Sequence, residues 1–436
     1  MFSGNERNRD MKKIVSIALI LSMTICLFGC TPGLKDRIRV EEELSRLNNI
    51  EGNTWINEDE EYESMVNSLL YIERDVGLPG AWIVATDDDI IYATGKGILD
   101  NDGNVVDPFT TFEIGSMSKS FVSVCIFKLV EEGRISLADT LGDLFPDYSY
   151  CPNYGRTSKV TISDMLHMRS GIPDYLNAPT DFWGPDLFYE ILGPDMEELS
   201  PEENHERFFS SVDERTFLES VFTCEPDNEP DRVFAYSNTN FYLLSVIIEH
   251  LTGMAYQDYV RETVFDPCGM TSTSSMAFGD VQASLPEGAY YFRPEYSKGA
   301  GDIHSNVVDI LRYDRALFGG YLLSEESMET MLEPISTYAC GFQIKGDMIT
   351  HGGDTPGFTS AHYIIERNGQ HLYVIGWSHQ GTKAGILNIL EHQFDPKPKH
   401  NTGIFILAGT SAAVICASVF VIVRIGKKKK RTEEKA

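Results

Sequence analysis

Phe112-Glu113-Ile114-Gly115-Ser116-Met117-Ser118-Lys119 is the stretch from which the rest of the chain can be read. Phe112–Gly115 reads as an extended approach ending in a glycine. Residues 116–131 read as a helix: Phe121, Val124, Cys125, Leu129 and Val130 recur at helical spacing, and Gly133 supplies a stop. Ser116 and Lys119 are three apart and so leave the first turn from one face. A serine hydroxyl is a weak nucleophile and needs a partner to take its proton. A lysine one turn away can do this, or can help another base do it. The helix N-terminus adds positive potential that favours a developing oxyanion. An S-x-x-K pair arises by chance about once in a chain this long. A polar helix start would look the same, so support must come from elsewhere.

The 436 residues allow a sizeable core, in one large domain or two intimate subdomains. Hydrophobic content of 42% and aromatic content of 11% are globular values. Net charge is −29. Residues 1–30 hold four basic and two acidic residues, and residues 401–436 hold seven and two. The middle therefore keeps 25 basic against 61 acidic residues, a net of −36. Such a surface repels nucleic acid and anionic lipid, so no nucleic-acid partner is expected. Of the eight cysteines, Cys125, Cys151, Cys224, Cys268 and Cys340 lie between the two ends, an odd number without framework spacing. No C-x-x-C occurs, and neither a disulfide scaffold, a zinc site nor any other cofactor is expected. Cys125 reads as a small hydrophobe on the serine helix.

Both ends carry membrane signals. Met11-Lys12-Lys13 precedes an apolar run, the pattern of a secretory signal over residues 1–30. Met11 is the better start within it. Leu27-Phe28-Gly29-Cys30 resembles a bacterial lipobox, with Cys30 as the lipid-bearing residue and Phe28 bulkier than usual. An ordinary cleaved signal or an uncleaved anchor is the alternative. Thr402–Val423 is 22 residues without a charge. As a helix it would reach about 33 Å, enough for a hydrocarbon core of about 30 Å. Arg424 and Lys427–Arg431 follow, which makes this end cytoplasmic by the positive-inside rule. The expected plan is a signal at 1–30, an acidic tether at 31–60 and a catalytic domain at 61–394. A linker at 395–401, a membrane helix at 402–425 and a basic tail at 426–436 follow.

Within the domain, Met65, Leu69, Leu70 and Ile72 mark a helix after the acidic stretch. Ala81–Thr86 and Ile90–Thr94 read as strands around Asp87-Asp88-Asp89, a charged hairpin turn rather than a calcium loop. Residues 176–232 are acidic and rich in Pro, Asn and Asp, and read as an irregular insertion or lid. Phe241–Leu251 is an apolar helix closed by Thr252-Gly253. Tyr338–Ile344, Ser360–Glu366 and Leu372–Trp377 read as strands, the last two joined by Arg367-Asn368-Gly369, and Ile386–Phe394 as a final helix. Strands at both ends with helices between predict an α+β fold. One antiparallel sheet flanked by helices would be built from both termini, with a mostly helical second subdomain and the site in the crevice between.

Two further motifs bear on Ser116. Tyr236-Ser237-Asn238 precedes the apolar helix. A phenol with pKa about 10 is a poor base at neutral pH. An adjacent lysine is expected to lower it and make the tyrosine a proton shuttle. Asn238 can hold that lysine or bind substrate. His351-Gly352-Gly353 lies between strand-like stretches, where glycines let a substrate backbone approach an edge strand. A backbone N–H there, paired with that of Ser116, could form an oxyanion hole.

Together, S-M-S-K at 116, Y-S-N at 236 and H-G-G at 351 resemble the three motifs of the serine β-lactamase-related family, over roughly residues 60–390. That family includes class C β-lactamases, D-Ala-D-Ala carboxypeptidases, D-aminopeptidases and esterases. The connecting segments at 237–253, 266–270, 299–305 and 356–360 share the resemblance. It implies a β-lactamase/transpeptidase-like fold with Ser116 acylated and Lys119 and Tyr236 activating it. Asn238, His351, Gly352, Gly353 and Asp354 would form the substrate-binding side, with the N–H groups of Ser116 and Asp354 holding the oxyanion. Tyr175-Leu176-Asn177 is a second Y-x-N without the helix context. The family's lactamases usually carry lysine where this chain has His351, so a fixed charge for a substrate carboxylate is missing. The implied activity is hydrolysis of a peptide, ester or cell-wall-derived substrate. A weak peptide or cell-wall binder on the same fold and a true β-lactamase are the alternatives.

Overall fold

The computed structural model describes residues 40–275, 280–379 and 393–394. The expected signal with Cys30, the linker, the apolar span and the basic tail lie outside these residues, as does most of the expected last helix. Among the described residues no helix is long and apolar enough to cross a membrane.

Among the described residues the main sheet has eight strands, paired antiparallel. In chain order its first four are β1 (Asn48–Glu51), β2 (Thr54–Ile56), β3 (Gly80–Thr86) and β4 (Ile90–Lys96). A small sheet follows from β5 (Phe112–Glu113), β6 (Ser274–Ser275) and β7 (Ile303–Ser305). The main sheet is completed by β8 (Gln343–Lys345), β9 (Met348–Asp354), β10 (Phe358–Arg367) and β11 (Gln370–His379). Its order is β1-β2-β4-β3-β11-β10-β9-β8. The two ends of the domain meet where β3 pairs with β11, from Ala81↔Trp377 to Thr86↔Leu372. The sheet expected from both termini is therefore present. Asn368 and Gly369, with φ of 55° and 71°, make the two-residue turn between β10 and β11.

The serine stretch begins as a tight turn, Gly115–Met117, and continues as the helix Ser118–Glu131. Ser118 through Phe127 are all buried, so this is a core helix, apolar on most sides. Phe121 stacks on Tyr313 with centroids 4.0 Å apart. The helices Asn238–Thr252 and Val307–Phe318 share the same core cluster. The other face of the sheet is covered by Met65, Val66 and Leu69 of the helix Glu63–Tyr71.

Three expectations are corrected. From residue 40 onward, the stretch expected as a tether is part of the fold. Val40–Arg46 is a helix with Val40 and Leu44 buried, and β1 and β2 extend the sheet beyond β4. The acidic run has buried partners that a local window does not reveal. Glu43 pairs with Arg315 at 2.8 Å, and Glu41 pairs with Arg312. The lid is helical rather than irregular: Pro179–Trp183, Pro185–Leu192, Pro201–Phe209 and Glu214–Thr223. Three of its prolines open helices, where a missing N–H costs nothing. Finally, the strand expected at Tyr338–Ile344 is confined to Gln343–Lys345, because Gly341 turns the chain at φ +81°.

Candidate active site

Lys119 is fully buried and donates to three oxygens: Ser116 Oγ at 2.9 Å, Asn238 Oδ1 at 2.9 Å and Ala300 O at 2.6 Å. The Tyr236 hydroxyl donates to Ser116 Oγ at 2.9 Å. The first two motifs thus meet on one oxygen. Burial lowers the Lys119 ammonium to about 7, against the opposing charges of Asp174 and Asp302. In its neutral form Lys119 keeps two N–H donors. Asn238 Oδ1 and Ala300 O can accept only hydrogens, so they hold both. The amine lone pair then faces the Ser116 hydroxyl.

Tyr236 has 36% of its surface open to the cleft, and the protein packed around the rest pushes its phenol above the ordinary range. The hydrogen bond with Ser116 opposes this only in part. The open side limits the size of that shift and leaves its direction. This reverses the expectation from sequence that Lys119 would make Tyr236 acidic. The lysine is the easier group to deprotonate, and the tyrosine stays a phenol.

Asn238 is held by Asp174, a residue that no sequence motif singles out. Its carboxylate accepts from Asn238 N at 3.1 Å and Asn238 Nδ2 at 2.9 Å, and from the backbone N–H groups of Leu176 and Asn177. With Nδ2 engaged, Oδ1 must face Lys119. Ala300 sits in a turn tied down by Asp302, which accepts from Gly299 N at 2.7 Å and from the Ser275 hydroxyl. The G-A-G-D motif at 299 is visible in the sequence, but its use as a lysine anchor is not.

His351 lies in the third motif but is 3% exposed. Its Nδ1 lies 2.7 Å from Gly352 O, which can only accept, so Nδ1 carries the hydrogen. Nε2 then accepts from Tyr338 Oη at 3.1 Å. Burial, with the Lys119 charge adding to it, lowers the imidazole to about 3 and keeps it neutral. Gly353 serves the chain's own backbone rather than a ligand's: a Cβ there would meet Ile114 O at 1.9 Å. Gly115 has φ +55°, and its Cβ would lie 3.1 Å from Asp354 N. Thr355 N donates to Phe358 O within the β9–β10 turn, so by alternation the Asp354 N–H points off the outer side of β9. Asp354 and Ser116 line the same cleft.

Ser116, Tyr236, Asn238, His351, Gly352 and Asp354 all line one cleft of about 530 Å³. Tyr175 does not: it is buried, and its hydroxyl donates to Tyr296 O. Its neighbours Leu176 and Asn177 do line the cleft. The five described cysteines are free and buried. Among the described residues no cluster of His, Cys, Asp and Glu could hold a metal ion.

The beta-lactamase family pattern matches residues 70–384. The chain belongs to the beta-lactamase family. A relative within it, the putative penicillin-binding protein PbpX of Bacillus subtilis (strain 168), is 24% identical over 318 residues, 69% of this chain and 71% of that one. FmtA from Staphylococcus aureus superposes with a TM-score of 0.59 at 16% identity, over 84% of this chain and 98% of its own. The D-amino acid amidase of Ochrobactrum anthropi SV3 complexed with L-phenylalanine superposes with a TM-score of 0.58 at 21% identity, over 76% and 97%. At these identities the likeness establishes the fold. In the beta-lactamase family setting, the Ser116 cleft opens at the end of β9 and the start of the serine helix.

Proposed function

We propose that this protein is a membrane-tethered, extracytoplasmic serine hydrolase that acts through an acyl-enzyme on a small peptide, ester or amide substrate. The observation that carries this reading is the meeting of Lys119 Nζ and Tyr236 Oη on Ser116 Oγ, each at 2.9 Å, with the lysine near neutrality. Ser116 Oγ attacks the substrate carbonyl, and its proton passes to the Lys119 lone pair. The oxyanion is received by the N–H groups of Ser116 and Asp354. As the bond to the leaving group breaks, the leaving atom takes a proton from the Tyr236 hydroxyl, which recovers one from Lys119. A water molecule repeats the route to free the acid. The neutral His351 supports an uncharged group near the scissile bond over the carboxylate of a penicillin. Thr402–Val423 and Lys427–Arg431 support an outer domain with its C-terminal end in the cytoplasm.

A fluorophosphonate probe on the full chain in membranes should label the peptide containing Ser116, and Ser116→Ala should take no label. Labelling that survives the substitution would sink the assignment. Protease added to intact cells should digest the domain and spare a C-terminal tag. A tag cut from outside would refute the topology.

A further inference from the structure

The described lining of the Ser116 cleft is mostly uncharged, and His351 adds no charge. Its two charged side chains are Asp354 and Lys345, both exposed and of opposite sign. They stand at opposite ends. Asp354 closes β9 beside Gly115, with Thr359 Oγ1 donating to its Oδ1 at 2.9 Å. Its charge reaches the Tyr236 phenol. Lys345 closes β8 opposite Met348, six positions from Asp354 along β9. Its charge reaches the His351 ring. Six strand residues span about 20 Å, and the long lysine stem shortens the gap. β8 pairs with β9 only over Met348–Thr350, so the outer edge of His351–Asp354 faces the cleft. An extended chain can lie along such an edge by backbone hydrogen bonding.

We infer that the cleft takes a short peptide with both termini charged, its N-terminal ammonium against Asp354 and its C-terminal carboxylate against Lys345, so that the amide cleaved is the one after the first residue. This rests on the serine-hydrolase reading above. An α-ammonium is two bonds from the carbonyl carbon of its own residue, so a carboxylate at the oxyanion end of the cleft meets it when that carbonyl is attacked. The same carboxylate repels an anion beside the scissile bond. From there to Lys345 the cleft accommodates roughly four extended residues. The first residue is transferred to Ser116 Oγ, the C–N bond breaks, and the shortened peptide leaves as an amine after taking a proton. Water then releases the free amino acid.

The test uses tetraalanine in all-L and all-D forms, with a free or acetylated N-terminus and a free or amidated C-terminus. On the full chain, kcat/KM for the doubly charged form should exceed that of each blocked form by about five-fold or more at low salt, and high salt should compress both ratios. Asp354→Asn should erase the N-terminal preference alone, and Lys345→Gln the C-terminal preference alone, whatever the absolute rates. A wild type without these preferences, or variants that retain them, would overturn the inference while probe labelling of Ser116 left the hydrolase reading standing. If Ser116 takes no label and no peptide is cleaved, the hydrolase reading fails. Calorimetric binding of the same peptides to the Ser116→Ala protein then decides charge selection by the same ratios.

Discussion

Lys119 sets the expected pH behaviour of the site. In the proposed mechanism its neutral form is the proton acceptor, so kcat/KM should rise with pH through an apparent pKa of about 7, the value to which burial brings it. Asp174 opposes that lowering, so Asp174→Asn should move the limb to lower pH. It should also cut the maximal rate about ten-fold, since Asn238 loses the acceptor that orients it. An unmoved limb, measured from pH 5 to 9, would show that Asp174 acts only as scaffolding. His351 carries a second expectation. Wild-type protein should acylate slowly with benzylpenicillin and turn over a neutral short-chain ester more readily. A lysine at position 351 would be buried against Tyr338 and repelled by Lys119, so His351→Lys should gain less than ten-fold on the penicillin. Penicillin hydrolysis near about 10⁸ M⁻¹s⁻¹ with the ester ignored would make this a β-lactamase in the strict sense. Ser116, Lys119, Tyr236 and Asn238 were legible because each stands in a short motif with fixed spacing. Asp174, Ala300 and Tyr338 act through contacts between distant segments, and no local spacing announces those.

At the scale of elements, β9 is seated against the serine turn by the absence of a side chain. A Cβ on Gly353 would lie 1.9 Å from Ile114 O, and both partners are backbone. Gly353→Ala should therefore lower stability by about 1–3 kcal/mol and reduce ester turnover at least ten-fold by parting Ser116 from the Asp354 N–H. Gly155→Ala, where a Cβ meets nothing within 4 Å, is the matched control and should leave both near wild type. Thermal melting and turnover of the two variants check this, and equal melting points would show that β9 yields easily. The strands β3, β4, β10 and β11 and the serine helix were legible from alternation and helical spacing. The helix and hairpin at residues 40–56 were not, because their acidic composition hides two pairs with Arg312 and Arg315 near the other end of the domain. The lid helices were obscured by the prolines that begin them.

The whole molecule should be most stable in mild acid. Burial raises Glu113 to about 7 and Asp302 and Asp309 to about 6. In the unfolded chain such groups titrate near about 4. Between those values the native state holds protons that the unfolded chain has released, so stability falls as pH rises through about 4 to 7. Self-repulsion at a net charge of −29 acts in the same direction. His351, lowered to about 3 by burial, works the other way between about pH 3 and 6.5, and so does Asp87. Despite its burial, hydrogen bonds from His371 and Tyr373 hold it below the usual carboxylate range, and that contribution fades as pH falls below about 4. Unfolding free energies from urea titration should therefore peak near about pH 4–5 and fall by a few kcal/mol toward pH 7.5, since a ten-fold change in proton affinity is worth roughly 1.4 kcal/mol. Glu113→Gln should flatten the fall. Free energies that climb from pH 5 to 7.5 would contradict this. The pairing of β3 with β11 has a further consequence, in time rather than in space. Synthesis at about 5–20 residues per second completes the serine helix some ten to forty seconds before β9. Through that interval the newborn chain carries Ser116 and Lys119 but lacks β9 and the two strands that close the sheet onto β3.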